Sequence, residues 1–300
     1  MSERYLLSEE KAREIFNQDI DDTFSWSPND HPTLSVVAAQ PGAGKNALQQ
    51  QVAAKRHAPV LDLDELRILH PDHAKLNNVN DRAAAELTHA DCRRWLDWVF
   101  DRALEKKSSI VWSCTLGNAP NALARLQRFS SQGYTVEIYF LAVHEAMSRL
   151  GILKRYQTGR SRDGWGRFTP RHIHDEAYVG LLQSAAHLEG EDLLRRVYLY
   201  KRGGRRLFFN DRQINGHWAS KSKVAQRIGA ERDRAPWPPR DRETFWRDFG
   251  LLATGLPYDL RNMLTEVSSD ATPFLISWSE AGALPLRTTR HRAAHGRRHH

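Results

Sequence analysis

Two scarcities in the 300-residue sequence, of cysteine and of long apolar segments, exclude several classes of protein. Cys92 and Cys114 are too few for a disulfide framework, and neither has a second thiol at metal-site spacing, so we expect reduced, buried thiols. No apolar run approaches the roughly 20 residues of a membrane-spanning helix. The polar residues 1–5 lack the charged-then-apolar order of a signal peptide. We expect a globular, cytoplasmic protein with no membrane partner.

The formal net charge of +8 could indicate a nucleic-acid partner, but much of this charge lies in one segment at the end of the sequence. The segment 287–300 carries five arginines and no acid, which leaves a net charge of +3 for residues 1–286. This segment also has no apolar periodicity, so we expect a disordered, solvated basic tail with at most weak nonspecific affinity for phosphate polymers. The sequence therefore predicts no specific nucleic-acid binding.

A glycine-rich run lies between the apolar residues 34–38 and the helix-like residues 47–54. The run consists of Ala39, Gln40, Pro41, Gly42, Ala43, Gly44, Lys45 and Asn46. Strand, loop and helix in this order are typical of a phosphate-binding P-loop, in which glycines let backbone N–H groups surround the phosphates. Lys45 would reach the β and γ phosphates. Nucleotide-dependent phosphoryl transfer is therefore the leading hypothesis, with residues 40–46 as the ATP site.

The run departs from the usual P-loop pattern at both ends. Ala39 replaces its first glycine, and Asn46 replaces the Ser or Thr whose hydroxyl normally contacts Mg²⁺. An amide oxygen can also coordinate Mg²⁺, although the geometry that this ion demands is strict. Asn46 and Asp62 are the residues that we consider as Mg²⁺ ligands.

Further apolar runs alternate with helical patterns along the chain. After residues 34–38, strands are predicted at 59–63, 109–112, 134–143 and 197–200, and helices at 83–106, 119–132, 144–157 and 170–187. Strands joined by crossovers of helical length form parallel βαβ units, and their ligands bind beyond the carboxyl ends of the strands. The predicted fold class is α/β, with a mostly parallel P-loop NTPase-like sheet flanked by helices.

The alternation of predicted strands and helices ends after residue 204. Residues 206–210 are expected to form a final hairpin strand, followed by helices at 221–228 and around 243–253. We therefore predict a P-loop domain at 1–210, which includes a lead-in helix near its start, a helical extension at 211–286 packed on the core, and the basic tail at 287–300.

Carboxylates and small polar residues follow two of the predicted strands. If strand alternation continues through residue 64, Asp62 and Asp64 project to the same side. Asp64 is the predicted general base for a substrate hydroxyl, whereas Asp62 is the residue that we expect to cap the next helix. Ser113 and Thr115 can hydrogen-bond a polar substrate, or they are ordinary turn residues. Asp97, on the preceding helix, either points into the same cleft or is an exposed acid.

Four arginines, at positions 155, 160, 162 and 167, lie between two helical patterns. A solvated basic surface is the usual interpretation of such a cluster. Glycines at 159, 164 and 166 instead favour a mobile lid, whose guanidinium groups would neutralise the charge that develops on a transferred phosphoryl group.

Together these motifs resemble the zeta toxin family, the P-loop kinases of bacterial toxin–antitoxin systems. The resemblance extends over roughly residues 10–210 of this chain. It depends on residues 40–45, on Asp64-Glu-Leu-Arg67 with His70-Pro71, on Arg155-Tyr156, and on Arg167-Phe-Thr-Pro170 with His174-Asp175.

The resemblance implies roles for individual residues. Lys45 would bind the phosphates of ATP, Asp64 would be the catalytic base, and Arg155 and Arg167 would stabilise the transferred phosphoryl group. The residues predicted to bind the acceptor are Asp97 and Thr115, which stand where the family has substrate-binding Glu and Thr, together with Arg67 of the family signature and Ser113 at the strand end. Family members phosphorylate a sugar hydroxyl of UDP-N-acetylglucosamine, and a small antitoxin protein blocks their ATP site.

Two departures from the family bear on the acceptor. Ser113 stands where the family usually has Glu, and Gly117 stands where many members have Arg. These replacements change the charge and the hydrogen-bonding groups of the acceptor pocket. Three hypotheses therefore remain: a growth-inhibiting kinase for a nucleotide sugar, a kinase for another small molecule such as an antibiotic or a dinucleotide, and a degenerate ATP-binding regulatory protein.

Overall fold

The computed structural model describes residues 5–221 and 223–275, in which a six-stranded sheet has helices on both faces. The strands are β1 (Thr33–Ala38), β2 (Val60–Asp62), β3 (Ile110–Cys114), β4 (Thr135–Ala142), β5 (Leu194–Lys201) and β6 (Arg206–Asp211). Their order is β2-β3-β1-β4-β5-β6; the first five are mutually parallel, and β6 is antiparallel to β5. The mostly parallel sheet is confirmed, and five strands therefore direct their carboxyl ends to one edge.

Twelve α-helices lie in the described part of the chain. They are α1 (Glu9–Ile15), α2 (Asn46–Arg56), α3 (Leu63–Ile68), α4 (His73–Asn80), α5 (Ala84–Leu87), α6 (His89–Glu105), α7 (Ala119–Ser131), α8 (Glu145–Asp163), α9 (Arg171–Gly190), α10 (Val224–Arg232), α11 (Pro239–Gly255) and α12 (Arg261–Leu275). The prediction of one continuous helix at 83–106 is wrong, because Thr88 separates α5 from α6. None of the described helices has the length and apolar character needed to cross a membrane.

Alternating side chains of the central strands face two apolar layers. Val36 belongs to the layer beneath α1, α6, α7, α9 and α10, whereas its neighbour Val37 belongs to the layer beneath α2, α8, α11 and α12. Both valines are fully buried, as a strand covered on two faces requires. Helices α11 and α12 pack on α8, so the C-terminal helices complete the second layer. The predicted tail at 287–300 lies outside the described residues.

Candidate active site

The predicted P-loop forms the turn between β1 and α2. Gly42 and Gly44 have φ values of +76° and +88°, in the left-handed region that glycine adopts without steric cost. A Cβ atom on Gly42 would also lie only 1.9 Å from the carbonyl oxygen of Ser148 in α8. Lys45 is half-buried, and its Nζ donates a hydrogen bond of 3.0 Å to the carbonyl of Ala39 across the loop. Two left-handed glycines and a lysine folded back across the loop thus join β1 to α2.

The remaining residues of the run divide into buried and exposed positions. Gln40 is fully buried: its Nε2 donates to the carbonyl of Val143 at 2.7 Å, and its Oε1 accepts from Arg232 at 3.1 Å. The side chain of Gln40 is therefore not free to contact a nucleotide, in contrast to its predicted role. Ala43 is buried and Pro41 is half-buried, whereas Gly44 and Asn46 are exposed at the start of α2.

The two predicted carboxylates follow β2, but they do not share a strand. The strand ends at Asp62 and α3 begins at the next residue, so the predicted alternation through residue 64 is wrong. Asp62 Oδ1 accepts from the backbone N–H of Asp64 at 3.0 Å, which confirms the helix-capping role expected for Asp62. Asp64 lies in the first turn of α3, and its carboxylate forms an ion pair with Arg167.

The charges of this region interact with one another. Burial lowers the pKa of Lys45 to about 8; the Asp62 carboxylate opposes this shift, and the guanidinium groups of Arg155 and Arg167 add to it. Burial also lowers the pKa of Arg155, and that of Arg167 to about 10, again against the attraction of Asp62. One lysine, two arginines and two carboxylates thus meet at the carboxyl edge of the sheet.

The predicted arginine-rich lid is largely helical. Helix α8 continues to Asp163 and ends at Gly164, whose φ of +81° is typical of a helix C-terminus. A Cβ atom on Gly166 would lie 2.1 Å from the carbonyl oxygen of Tyr156, so the following segment, residues 164–170, packs directly on α8. The predicted end of this helix, at residue 157, is therefore too early. Gly166, which was expected to make a lid mobile, instead allows a close backbone contact with α8.

Only two of the four arginines face the carboxylates. Arg155 donates from Nη2 to Thr169 Oγ1 at 2.9 Å and interacts with Asp62, while Arg167 pairs with Asp64. Arg160 instead lies beside Asp81, and Arg162 pairs with its neighbour Asp163. These partners leave Arg155 and Arg167 as the phosphoryl-binding candidates, as the resemblance implies.

The predicted residues Ser113 and Thr115 lie at the end of β3 and directly after it. Ser113 is paired in register with Asp62 of β2; its Oγ is buried and has no hydrogen-bond partner within the described residues. Thr115 Oγ1 accepts from the N–H of Gly117 at 3.4 Å, in the turn. A Cβ atom on Gly180 of α9 would lie 2.1 Å from the carbonyl oxygen of Gly117, so the helix backbone crowds this loop.

The two other predicted acceptor residues already have protein partners. Arg67 is buried, and its Nη1 donates to Thr88 Oγ1 at 2.8 Å, which ties α3 to the start of α6. Asp97 is exposed and pairs with Arg125 of α7 at 2.8 Å. The guanidinium of Arg125 lies 5.8 Å from the centre of the Trp112 ring in β3. Arg125 was not among the residues predicted from the sequence.

Arg202, which follows β5, was not predicted from the sequence either. Its Nε lies 3.8 Å from the point where a Cβ of Gly44 would stand, and its Nη1 donates to the carbonyl of Met147 at 3.2 Å. A cation therefore lies beside the P-loop, and it also lines a small pocket with His144 and Trp237. The sequence signal was a Lys-Arg-Gly-Gly run at 201–204, directly after a predicted strand.

Comparisons with known proteins agree on one family. A family model described as zeta toxin matches residues 17–214. Toxin zeta of Enterococcus hirae is 25% identical over 180 residues, which cover 59% of this chain and 63% of the relative. Toxin zeta of Streptococcus agalactiae is 24% identical with the same coverage, so the match spans less than two thirds of these relatives.

Among solved structures, one from the PezAT chromosomal toxin–antitoxin system of Streptococcus pneumoniae has the same fold. The TM-score is 0.70 at 16% sequence identity, and the superposition covers 83% of this chain and 99% of that chain. This likeness extends beyond the 59% of the chain aligned with the curated relatives and includes part of the C-terminal helical region.

Proposed function

Since the chain belongs to the zeta toxin family, we propose that it is a kinase that transfers the γ-phosphoryl group of ATP to a hydroxyl group of a small metabolite. The observation that carries this proposal is the convergence of the P-loop Lys45 with Asp62, Asp64, Arg155 and Arg167 at one edge of the sheet. Phosphoryl transfer needs a cradle for the phosphates, cations that neutralise charge and a group that accepts the proton of the attacking hydroxyl.

The P-loop would hold the phosphates of ATP. Backbone N–H groups of residues 42–46 and the positive end of the α2 dipole favour an anion at this position. Lys45 Nζ would leave the carbonyl of Ala39 for the phosphates, and Arg202 would approach them from β5.

Asp64 would accept the proton from the acceptor hydroxyl. Its carboxylate is engaged by Arg167 before substrate binds, so the base becomes free only when that guanidinium turns to another anion. The γ-phosphate of ATP is such an anion, and the bidentate geometry of Arg suits phosphate oxygens. Nucleotide binding would thereby uncover the base and place Arg167 and Arg155 where charge develops during transfer.

The residues near the P-loop are compatible with Mg²⁺, which would neutralise phosphate charge during transfer. Within the described residues there is no group of three or more His, Cys, Asp or Glu side chains that could hold a metal by itself. Mg²⁺ in kinases uses few protein ligands because phosphates and water supply the rest. Asp62 keeps one carboxylate oxygen beyond its capping bond, and Asn46 is exposed at the start of α2.

For the acceptor we propose a nucleotide sugar, with UDP-N-acetylglucosamine as the first compound to test because of the family. The buried Oγ of Ser113, next to Asp62 and without a partner in the described residues, would hydrogen-bond a substrate hydroxyl once binding opens the site above it. Arg125, close to the Trp112 ring, would supply a guanidinium in place of the Arg that many family members have at the position of Gly117. Growth inhibition and control by a small antitoxin belong to the same proposal.

The second proposal is an ATP-binding regulatory protein without catalysis. The exposed Asn46 at the start of α2 favours it, because this position lacks the hydroxyl that normally binds Mg²⁺.

The test is mass spectrometry of metabolites incubated with ATP, Mg²⁺ and the protein. We expect one metabolite to gain a phosphoryl group, and Asp64→Asn to lower the rate by about 10²–10⁴-fold because the base is lost, with ATP affinity little changed. Lys45→Ala should weaken ATP binding itself.

The control is Asp101→Asn, which removes an exposed ion pair with Arg128 on the outer surface of α6 and should leave turnover unchanged. Equal turnover and ATP affinity in the wild type and in the Asp64 and Lys45 variants would contradict the kinase mechanism. Binding of ATP without any phosphorylated product would favour the regulatory protein.

A further inference from the structure

The His174-Asp175 pair, one of the motifs that carry the resemblance, has no role in the proposed phosphoryl transfer. Both residues lie in the first turns of α9, and His174 is fully buried. His174 Nδ1 lies 2.8 Å from Asp175 Oδ1, and His174 Nε2 lies 2.8 Å from Ser148 Oγ of α8. A hydrogen-bonded chain thus runs from the surface carboxylate of Asp175 into the protein.

The directions of these hydrogen bonds follow from the protonation states. Burial lowers the pKa of His174 below its ordinary value of 6.5, against the opposing effect of Asp175, so the imidazole is neutral near pH 7. Burial would raise the pKa of Asp175, but hydrogen bonds from His174 and Arg171 lower it, so the carboxylate is charged. Nδ1–H therefore donates to Asp175, and Nε2 accepts from the hydroxyl of Ser148.

The chain continues from Ser148 to the P-loop. Ser148 Oγ accepts from Nε2 of Gln40 at 3.2 Å. On its other side, Gln40 is held by Arg232 of α10, whose guanidinium lies 3.8 Å from the ring centre of Tyr178 in α9. The next turn of the loop, at Gly42, is in close contact with the backbone of Ser148. The first residues of the P-loop are therefore attached directly to α8 and α10, and through Ser148 and Arg232 to α9.

A serine, a histidine and an aspartate in this order also form the catalytic triad of hydrolases. Here the side chains of Ser148 and His174 are fully buried, and the Ser148 hydroxyl is enclosed by Gln40 and the carbonyls of α8. No substrate can approach Oγ, so the arrangement serves a structural purpose next to the P-loop.

We propose that the Asp175–His174–Ser148 chain positions the P-loop through Gln40, so that the loop is already in its phosphate-binding conformation before the nucleotide arrives. Ser148 and His174 are positioning residues, since neither can touch the nucleotide. The consequence for nucleotide affinity depends on the proposed function, whereas the order of the free loop does not. A preformed loop binds more tightly because less conformational freedom is lost on binding.

The test compares Ser148→Ala, His174→Phe and the double variant with the wild type by hydrogen–deuterium exchange of the free protein. We expect amides of residues 40–46 to exchange about tenfold faster in each single variant, as loss of one buried hydrogen bond allows. The double variant should match the single variants, because the two residues act in one chain. His174→Gln retains an acceptor for the Ser148 hydroxyl and should restore slow exchange.

The matched control is Tyr134→Phe, which removes a buried hydroxyl that donates to the carbonyl of Ala103 at 2.6 Å, at the opposite edge of the sheet. It should lower thermal stability without changing exchange at 40–46. Unchanged exchange in both single variants, an equal change in Tyr134→Phe, or additive effects in the double variant would overturn the inference.

ATP titrations of the same proteins separate this inference from the proposed function. We expect the dissociation constant for ATP to rise about tenfold in Ser148→Ala and His174→Phe and to stay unchanged in Tyr134→Phe. A wild type that does not bind ATP would end the proposed function, and the exchange experiment would still decide whether the chain positions the loop.

Discussion

At the scale of single residues, the state of Lys45 is set by its surroundings. A P-loop lysine must be charged to attract phosphates, yet burial lowers its pKa from the ordinary 10.5 to about 8. Asp62 partly compensates, while Arg155 and Arg167 oppose the charge. Because the pKa is lower in the folded state, the charged lysine reduces stability below pH 8, and this cost disappears as the pH rises from 8 to 10.5. Keeping Lys45 charged therefore lowers the stability of the free protein, and bound ATP phosphates would remove this cost.

We predict that ATP affinity falls as the pH rises through the pKa of Lys45. With a pKa near 8, about nine in ten free molecules carry a charged Lys45 at pH 7 and about one in ten at pH 9. The dissociation constant should therefore rise about tenfold between these pH values, measured by isothermal titration calorimetry. Lys45→Arg should bind with little pH dependence, because a guanidinium remains charged throughout. Equal affinity of the wild type at pH 7 and pH 9 would disprove this role of Lys45.

At the scale of elements, α8 is the helix on which the site is assembled. The P-loop is in contact with it at Gly42, and Arg155 projects from it toward Asp62. The segment 164–170, which carries Arg167, packs against it at Gly166. One helix thereby determines the distance between the phosphate cradle and both guanidinium groups.

We predict that Gly166→Ala impairs phosphoryl transfer more than it impairs ATP binding. The added Cβ would lie 2.1 Å from the Tyr156 carbonyl oxygen, so the segment 164–170 must move away from α8 and take Arg167 with it. A displacement of about 1 Å can reduce the rate by about 100-fold. Initial rates and ATP titrations would measure the two effects separately.

The control is Gly250→Ala in α11, where an added Cβ would meet no atom within 4 Å. Activity should be unchanged, and the free energy of unfolding should rise by about 0.5–1 kcal/mol because alanine is the better helix former. If both variants retain the wild-type rate, the close contact at Gly166 does not position Arg167.

At the scale of the whole molecule, the C-terminal helices are part of the same packed structure as the sheet. The buried Arg149 of α8 forms ion pairs with Asp270 at 2.5 Å and Glu266 at 3.1 Å, both in α12. Leu264 of α12 is buried in the apolar layer that also contains Leu150 of α8. Because α8 carries the site, loss of these helices would expose the back of the element on which the site depends.

We predict one cooperative thermal transition that Leu264→Ala shifts as a whole. Truncation of a buried leucine costs about 3 kcal/mol, which corresponds to a decrease of about 5 °C in a protein of this size. Leu251→Ala, at a position of α11 that is 64% exposed, should leave the transition unchanged. Differential scanning calorimetry distinguishes this result from a separate early transition of α11 and α12, which would mean that they unfold as an independent domain.

The features of this structure differ in how well the sequence predicts them. The P-loop, the alternation of strands and helices and the capping role of Asp62 were predictable because each depends on residues that are neighbours in the sequence. The end of β2, the length of α8 and the break at Thr88 were not, because a few residues near an element boundary have similar propensities for several conformations. The acceptor residues were harder still, since the partners of Arg67 and Asp97 lie 21 and 28 positions away along the chain.

The sequence by itself determined the family, the α/β class and the presence of Lys45, Asp64 and the arginines, since motif spacing and apolar periodicity are local properties. Only the tertiary structure decided which arginines face the carboxylates, that Arg167 covers Asp64, and that Gln40 is bound by Ser148 and Arg232. The physical reason is that pairing of charges and satisfaction of buried amides depend on distance in space. That distance is known only when all the helices have packed on the sheet.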